Sequence, residues 1–204
     1  MICAPPRRQR WSEMFLIGRP KTSIHRHWQN RLLREFTDGL TVNSVINLGA
    51  TPEAPDKEGG SYSDYFPNAS FKALDTRPHD HPDYIEGDLM NPDQGHGPYD
   101  LVLAMSLIEH IDKPWKAAPV MSSLIASGGH MFVAMPWFYP THEGGDFGDH
   151  WRARPSGLAH LFDDLELVKE SFFPTAIRAV RDRKNYWRNA DSTAAGCAVL
   201  FRKA

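Results

Sequence analysis

Tyr99-Asp100-Leu101-Val102-Leu103-Ala104-Met105, YDLVLAM, decides how this sequence is read. It closes on five consecutive apolar residues with no polar alternation, so a strand here must be covered on both faces. Residues 114–127 follow it. There Trp115, Ala118, Met121, Leu124 and Ile125 recur at helical spacing, and Gly128-Gly129 provides a stop. Residues 130–135 are apolar again and end at Pro136. Strand, helix, strand in this order predicts a right-handed crossover between parallel neighbours.

Working outward, the same pattern continues in weaker form. Short apolar runs at 44–48, at 70–74 ending on Asp75, and at 84–86 ending on Gly87-Asp88 read as three earlier strands. A helix at 157–164 separates them from two more runs, 165–173 and 197–202. Near the start, Ile24, Trp28, Leu32 and Phe36 recur every four residues with Leu33 beside them, a helical stripe that Thr22 or Ser23 can cap and Gly39 can end. Residues 50–68 have room only for a small helix near 61–66, and 76–83 for none. The expectation is one α/β domain over 1–204: a doubly wound, mostly parallel seven-stranded sheet with reduced helices. Residues 1–20, basic and proline-bearing, are expected to be a loose arm. In such a sheet, ligands bind outside the carboxyl ends of the strands, where the winding reverses.

Bulk properties exclude several classes. Lys+Arg total 23 against Asp+Glu 25, a formal net charge of −2, so no global basic field points to nucleic acid or an anionic membrane. The two cysteines, Cys3 and Cys197, make no disulfide framework and no zinc spacing. No segment approaches the roughly 18 apolar residues of a membrane span. A cytoplasmic protein with a small-molecule substrate is expected; the oligomeric state is open.

Five pieces carry a resemblance. They are LDTRP at 74–78, DYIEGDL at 83–89, YDLVLAMSLIEHI at 99–111, SLIASGGHMFVAMP at 123–136 and YPTHEGGDFGDHWRARPSGLAHLF at 139–162. In order and spacing the chain resembles the class I S-adenosylmethionine-dependent methyltransferases, with a Rossmann-like sheet. The resemblance implies S-adenosylmethionine as cofactor and methyl transfer to oxygen or nitrogen of a small molecule, such as a sugar or glycan precursor.

It also implies a set of cofactor contacts. Asp75 would accept hydrogen bonds from the ribose hydroxyls, since a carboxylate offers two acceptors for two donors. Asp-Thr-Arg-Pro is equally good turn chemistry. Asp88 would read the adenine amino group and Leu89 would pack on the ring. Asn47, Gly49, Ala50, Thr76 and Met105 complete the expected set. The family's first strand ends acid-x-Gly-x-Gly-x-Gly. Here Asn47 stands for the acid, Gly49 for the first glycine, and Thr51 and Pro52 depart from the pattern. S-adenosylmethionine brings no pyrophosphate, so a glycine-rich anion cradle is less needed. The loop reads as a cofactor loop built another way, with Glu58-Gly59-Gly60 offsetting the lost flexibility.

For catalysis the candidates are His110, His142, Asp149 and Arg152. A histidine near neutral pH can take a proton from an acceptor. Glu109-His110 also reads as a structural pair that orders the loop. Residues 137–155 form the expected active-site loop, in which Arg152 can clamp an anion or pair with Asp149. His79-Asp80-His81 with His96, and His142 with Asp146 and Asp149, match no specific metal template, and no metal site is expected. Two rival readings remain: a non-catalytic binding or regulatory module on the same fold, and nucleic-acid binding through the basic segments 7–10 and 178–188.

Overall fold

The computed structural model describes residues 22–91, 97–145, 147–173 and 194–204. The N-terminal arm, His96, Asp146 and the basic segment 178–188 lie outside the described residues. Seven strands form one sheet: β1 (Ser44–Leu48), β2 (Ser70–Asp75), β3 (Tyr84–Glu86), β4 (Tyr99–Met105), β5 (Ile125–Pro136), β6 (Glu166–Phe173) and β7 (Gly196–Arg202). Their order is β3-β2-β1-β4-β5-β7-β6. All neighbours are parallel except β7, which runs antiparallel to both β5 and β6. The winding reverses between β1 and β4, which places the switch point of the sheet there.

Among the described residues, three α-helices cover the faces: α1 (Ile24–Thr37), α2 (Pro114–Ser123) and α3 (Pro155–Leu161). Because strand side chains alternate, β4 feeds both sides. Leu101, Leu103 and Met105 meet Leu32, Leu33 and Phe36 of α1, whereas Val102 and Ala104 meet Ala117, Ala118 and Met121 of α2 and Leu158 of α3. The uninterrupted apolar run is thus explained by two covered faces. The loop between β1 and β2 carries only a single 3-10 turn, Ser63–Tyr65, so the sheet is sparsely covered there.

Four local expectations change. The α1 stripe is rotated: Trp28 is only half-buried, and the buried positions include His25, Gln29 and Asn30. The helix after β4 ends at Ser123 rather than 127, with Pro119 inside it. Ile125 then pairs with Tyr99, and the chain bulges through Gly128-Gly129 before His130 meets Leu101. Trp115, which its helical spacing with Ala118 and Met121 would place on the inward face, is 56% exposed and packs edge-on against Trp151. Finally, Glu58-Gly59-Gly60 is an ordered turn: its three backbone N–H groups all donate to the Asp56 carboxylate.

The polar residues of α1 have a purpose in packing. Buried amides and hydroxyls are costly unless paired, and here they pair with one another. The Tyr62 hydroxyl accepts from Arg26 Nη1 at 2.8 Å and Gln29 Nε2 at 3.0 Å, and donates to Asn30 Oδ1 at 2.9 Å. Asn30 Nδ2 donates onward to the Asp56 carbonyl at 2.9 Å and Glu58 Oε2 at 3.1 Å. Ser106 Oγ donates to Gln29 Oε1 at 3.1 Å and sits 3.1 Å from His25 Nε2. This seam ties α1 to the loop after β1 and to the end of β4. Tyr62→Phe removes its hub and leaves two buried amides short of partners, at a cost of about 1–3 kcal/mol. The melting temperature should fall by about 2–12 °C; an unchanged melting temperature would show that the seam contributes nothing.

Candidate active site

The carboxyl ends of β1, β2, β3 and β4 open onto one cleft of about 490 Å³. Gly49 stands at its floor with φ +70 and backs onto Leu107: a Cβ there would come within 2.6 Å of Leu107 Cδ1. Glycine is favoured at this turn by its left-handed backbone, and a larger residue would also have to displace the Leu107 side chain. Asp75 and Thr76 line the cleft from β2, Gly87, Asp88 and Leu89 from β3, and Ser106, Leu107 and His110 from β4. Three expected contacts are absent from its wall. Met105 is packed in the core under α1, because strand alternation turns it to that face. Asn47, two residues beyond Val45 on the same face of β1, is 2% exposed and does not reach the cleft. Ala50 is half-buried beside Gly49 and does not line the cleft.

Asp75 is braced before any ligand arrives. Arg77 Nη2 donates to its Oδ2 at 2.9 Å, and the Thr76 hydroxyl and Arg77 backbone N–H approach Oδ1 at 3.3 Å. Partial burial pushes its pKa up, but these donors outweigh it and hold the carboxyl below its usual range. The Arg77 side chain is 68% exposed, so this ion pair faces solvent on one side. Asp88 closes its own turn, accepting from Met90 N–H at 2.8 Å.

Ser106 begins the second half of the site. It has φ +52, a left-handed conformation that costs a non-glycine residue of the order of 1–3 kcal/mol. The contacts to Gln29 and His25 hold it there. The turn sends the chain into the 3-10 segment Ile108–His110, which buries Glu109 completely and aims His110 at the cleft. Neither carboxylate oxygen of Glu109 has a hydrogen-bond partner. Burial pushes its pKa up to about 8. Burial likewise pulls His25 down to about 3 and lowers His110, so both imidazoles are neutral at neutral pH.

The loop between β5 and α3 is stapled over this turn. His150 N–H donates to the Glu109 carbonyl at 2.7 Å, His110 Nδ1 lies 2.6 Å from the Gly148 carbonyl, and Trp151 Nε1 donates to the Ile111 carbonyl at 2.9 Å. Asp149 organises the loop from within. Its carboxylate takes two hydrogen bonds from Arg152, one through Nη1 and one through Nη2 at 2.6 Å, a third from His142 N–H at 3.0 Å, and lies 3.1 Å from His142 Nδ1. The Arg152 bonds, outweighing burial, hold the Asp149 carboxyl far below the usual range.

His110, His142, Asp149 and Arg152 are thus brought together from two separate segments, with the two imidazole rings 5.0 Å apart. Sequence reasoning missed the depth of Glu109 and the roles of Ser106, Gln29 and His25. A signal was present: His25 and Gln29 fall one turn apart, in line with the apolar stripe through Leu32 and Phe36. Polar residues at core positions of a helix mark a buried network.

No family model matches the chain, and neither does any curated protein. Solved structures do. The N-methyltransferase NodS from Bradyrhizobium japonicum WM9, crystallised with S-adenosyl-L-homocysteine, superposes with a TM-score of 0.58 at 14% identity, over 92% of this chain and 90% of that one. The 1,6-didemethyltoxoflavin N1-methyltransferase of Burkholderia thailandensis gives 0.56 at 12% identity, over 88% and 78%. Magnesium protoporphyrin IX methyltransferase from Synechocystis PCC 6803, with bound S-adenosylmethionine, gives 0.55 at 10% identity, over 89% and 80%. The chain therefore has the class I methyltransferase fold.

Within the loop, the Asp149–Arg152 pair joins a fully buried carboxylate to a guanidinium only 24% exposed. Arg152→Ala strands that carboxylate. Breaking a fully buried pair costs about 3–5 kcal/mol; with partial solvent access about 2–3 kcal/mol is expected, a fall of about 4–12 °C in melting temperature. A melting temperature equal to wild type would show that the pair does not hold the loop.

Proposed function

We propose that this chain is an S-adenosylmethionine-dependent methyltransferase acting on oxygen or nitrogen of a small molecule, such as a sugar. The observation that carries the reading is the half-buried Asp75 carboxylate at the end of β2, in a cleft at the switch point of a class I methyltransferase sheet. A cleft of about 490 Å³ is in the range for cofactor sites. Gly49 has no side chain to obstruct the cleft floor, Leu89 offers an apolar wall for a base, and Asp75 offers two oxygens to a pair of hydroxyls.

When bound there, the cofactor supplies an electrophilic methyl group on its sulfonium. The protein's task is then to hold an acceptor atom in line with that methyl, at about 3–3.5 Å. Leu107 and Phe147 give the cleft apolar lining, and the imidazole of His110, whose pKa burial lowers, stands in its wall. His142, Asp149 and Arg152 lie behind His110, so the loop is read as recognising the acceptor. Arg152 contributes by bracing Asp149, which in turn orients His142.

A second reading, a binding module without cofactor, draws on two observations. Arg77 already occupies Asp75, and Leu107 lies over Gly49. Both obstructions are side chains able to move, and the Arg77 pair is exposed to solvent, which favours the enzyme. Calorimetry with S-adenosyl-L-homocysteine separates the two. Wild type should bind, and Asp75→Ala should bind roughly ten- to hundredfold more weakly, as expected for losing charge-assisted hydrogen bonds of about 1.5–3 kcal/mol. No heat from wild type at millimolar ligand would remove the enzyme reading.

A further inference from the structure

Behind His110 lies a group of side chains that methyl transfer alone does not explain. Glu109, His110 and His142 each present a ligand atom, all within 4.8 Å of one another. Glu109 is fully buried with both oxygens unpartnered. A bare carboxyl in that position costs free energy, whereas an isosteric apolar side chain would not. Arg152, whose charge acts on Glu109, is already committed to Asp149 through both terminal nitrogens.

The two imidazoles are oriented in a particular way. A carbonyl oxygen only accepts, so the 2.6 Å contact from His110 Nδ1 to Gly148 puts the proton on Nδ1. The lone pair is then on Nε2, which lies 3.9 Å from Glu109 Oε1. His142 Nδ1 likewise faces acceptors, the Asp149 carboxylate at 3.1 Å and the Pro140 carbonyl at 3.2 Å, which leaves its lone pair on Nε2. Imidazoles held at one nitrogen by a carbonyl or carboxylate, with the other nitrogen free, are the usual arrangement around a protein-bound metal.

We propose that Glu109, His110 and His142 bind a divalent transition-metal cation of the zinc class, with at least one coordination position left open toward the cleft. Two nitrogens and one oxygen suit zinc, or cobalt in its place, rather than calcium or magnesium, which take oxygen ligands. Three protein ligands and an open position are the pattern of reactive rather than structural sites. Bonds of about 2.0–2.1 Å in tetrahedral geometry imply ligand atoms about 3.3 Å apart. The present spacing, within 4.8 Å, therefore closes by side-chain rotations of up to about 1.5 Å. Neither histidine grouping considered from the sequence contained Glu109, because nothing local shows that it is buried.

The cation would join the turn after β4 to the loop after β5 and stand beside the cleft wall at His110. Its use there, holding the oxygen or nitrogen of the acceptor in place of bare His110 Nε2, rests on the methyltransferase reading. Cation binding itself does not.

The test uses full-length, untagged protein stripped with a chelator and titrated with cobalt(II) and then zinc(II), followed by visible absorption, calorimetry and thermal melting. The proposal expects one cation per chain at micromolar affinity or tighter, cobalt absorption in the visible, and a rise in melting temperature. Glu109→Gln and His142→Ala, checked for native circular dichroism, should each weaken binding by at least roughly tenfold. His79→Ala with His81→Ala, at an exposed pair facing Glu53, should bind like wild type. Absence of binding by wild type, binding unaffected by His142→Ala, or loss of binding in the His79/His81 variant would each overturn the proposal. The same preparations, titrated with S-adenosyl-L-homocysteine, keep the two readings apart. Cation binding without S-adenosyl-L-homocysteine binding sinks the methyltransferase reading alone, and the reverse sinks the cation site alone.

Discussion

The hydroxyl of Tyr62 is the interaction on which the site depends. The loop between β1 and β2 has no α-helix to fix it to the sheet, and α1, which packs on the sheet through Leu32, Leu33 and Phe36, turns buried polar side chains toward that loop. Hydrogen bonds hold the two together. Tyr62, one residue before the 3-10 turn, reaches α1 and meets Arg26, Gln29 and Asn30 through one oxygen. Gln29 then carries the connection to Ser106 at the end of β4. One hydroxyl thereby couples the loop that follows Gly49 to the strand that delivers Glu109 and His110. Networks of this kind are favourable only when nearly every member is satisfied.

The unsatisfied members are consequently informative. Among the described residues, the buried side-chain atoms without a partner are Nδ1 of His25 and the two oxygens of Glu109. Arg152 and Asp149 stand near enough to Glu109, and Arg152 and His142 near enough to His25, to affect their charge. Polar satisfaction is thus complete along the seam and fails at its inner end, beside the cleft. Strain collects at the same place, in the left-handed Ser106. Functional sites are where such local costs are ordinarily carried.

Most of the fold was legible in the sequence because its central strands are covered on both faces and show it. The YDLVLAM run, the apolar β5 and the short spacers after β1 and β2 led to a doubly wound sheet with few helices, which is what the chain forms. Boundaries failed where tertiary contacts overrode local pattern. The second helix stops early because Ile125 is taken by Tyr99 in the sheet, and Trp115 turns outward to meet Trp151 across 36 residues of sequence. Of the candidate site, Gly49, Asp75, Thr76, Asp88, Leu89 and His110 come together at one cleft. Met105 and Asn47 do not, because a strand-face assignment needs the register of the sheet, and one residue of error reverses it. Glu109 was visible in the sequence only as half of a pair. Its burial depends on the loop after β5 folding back over it, a contact that no local pattern encodes.

The central claim is that the switch-point cleft holds S-adenosylmethionine or its demethylated product. Native mass spectrometry of the protein, purified without denaturation and then incubated with either molecule, addresses it most directly. The account predicts a single adduct of the mass of one cofactor per chain, retained under gentle activation. Spectra showing only the bare chain at every cofactor concentration, from a protein that is folded by circular dichroism, would contradict it.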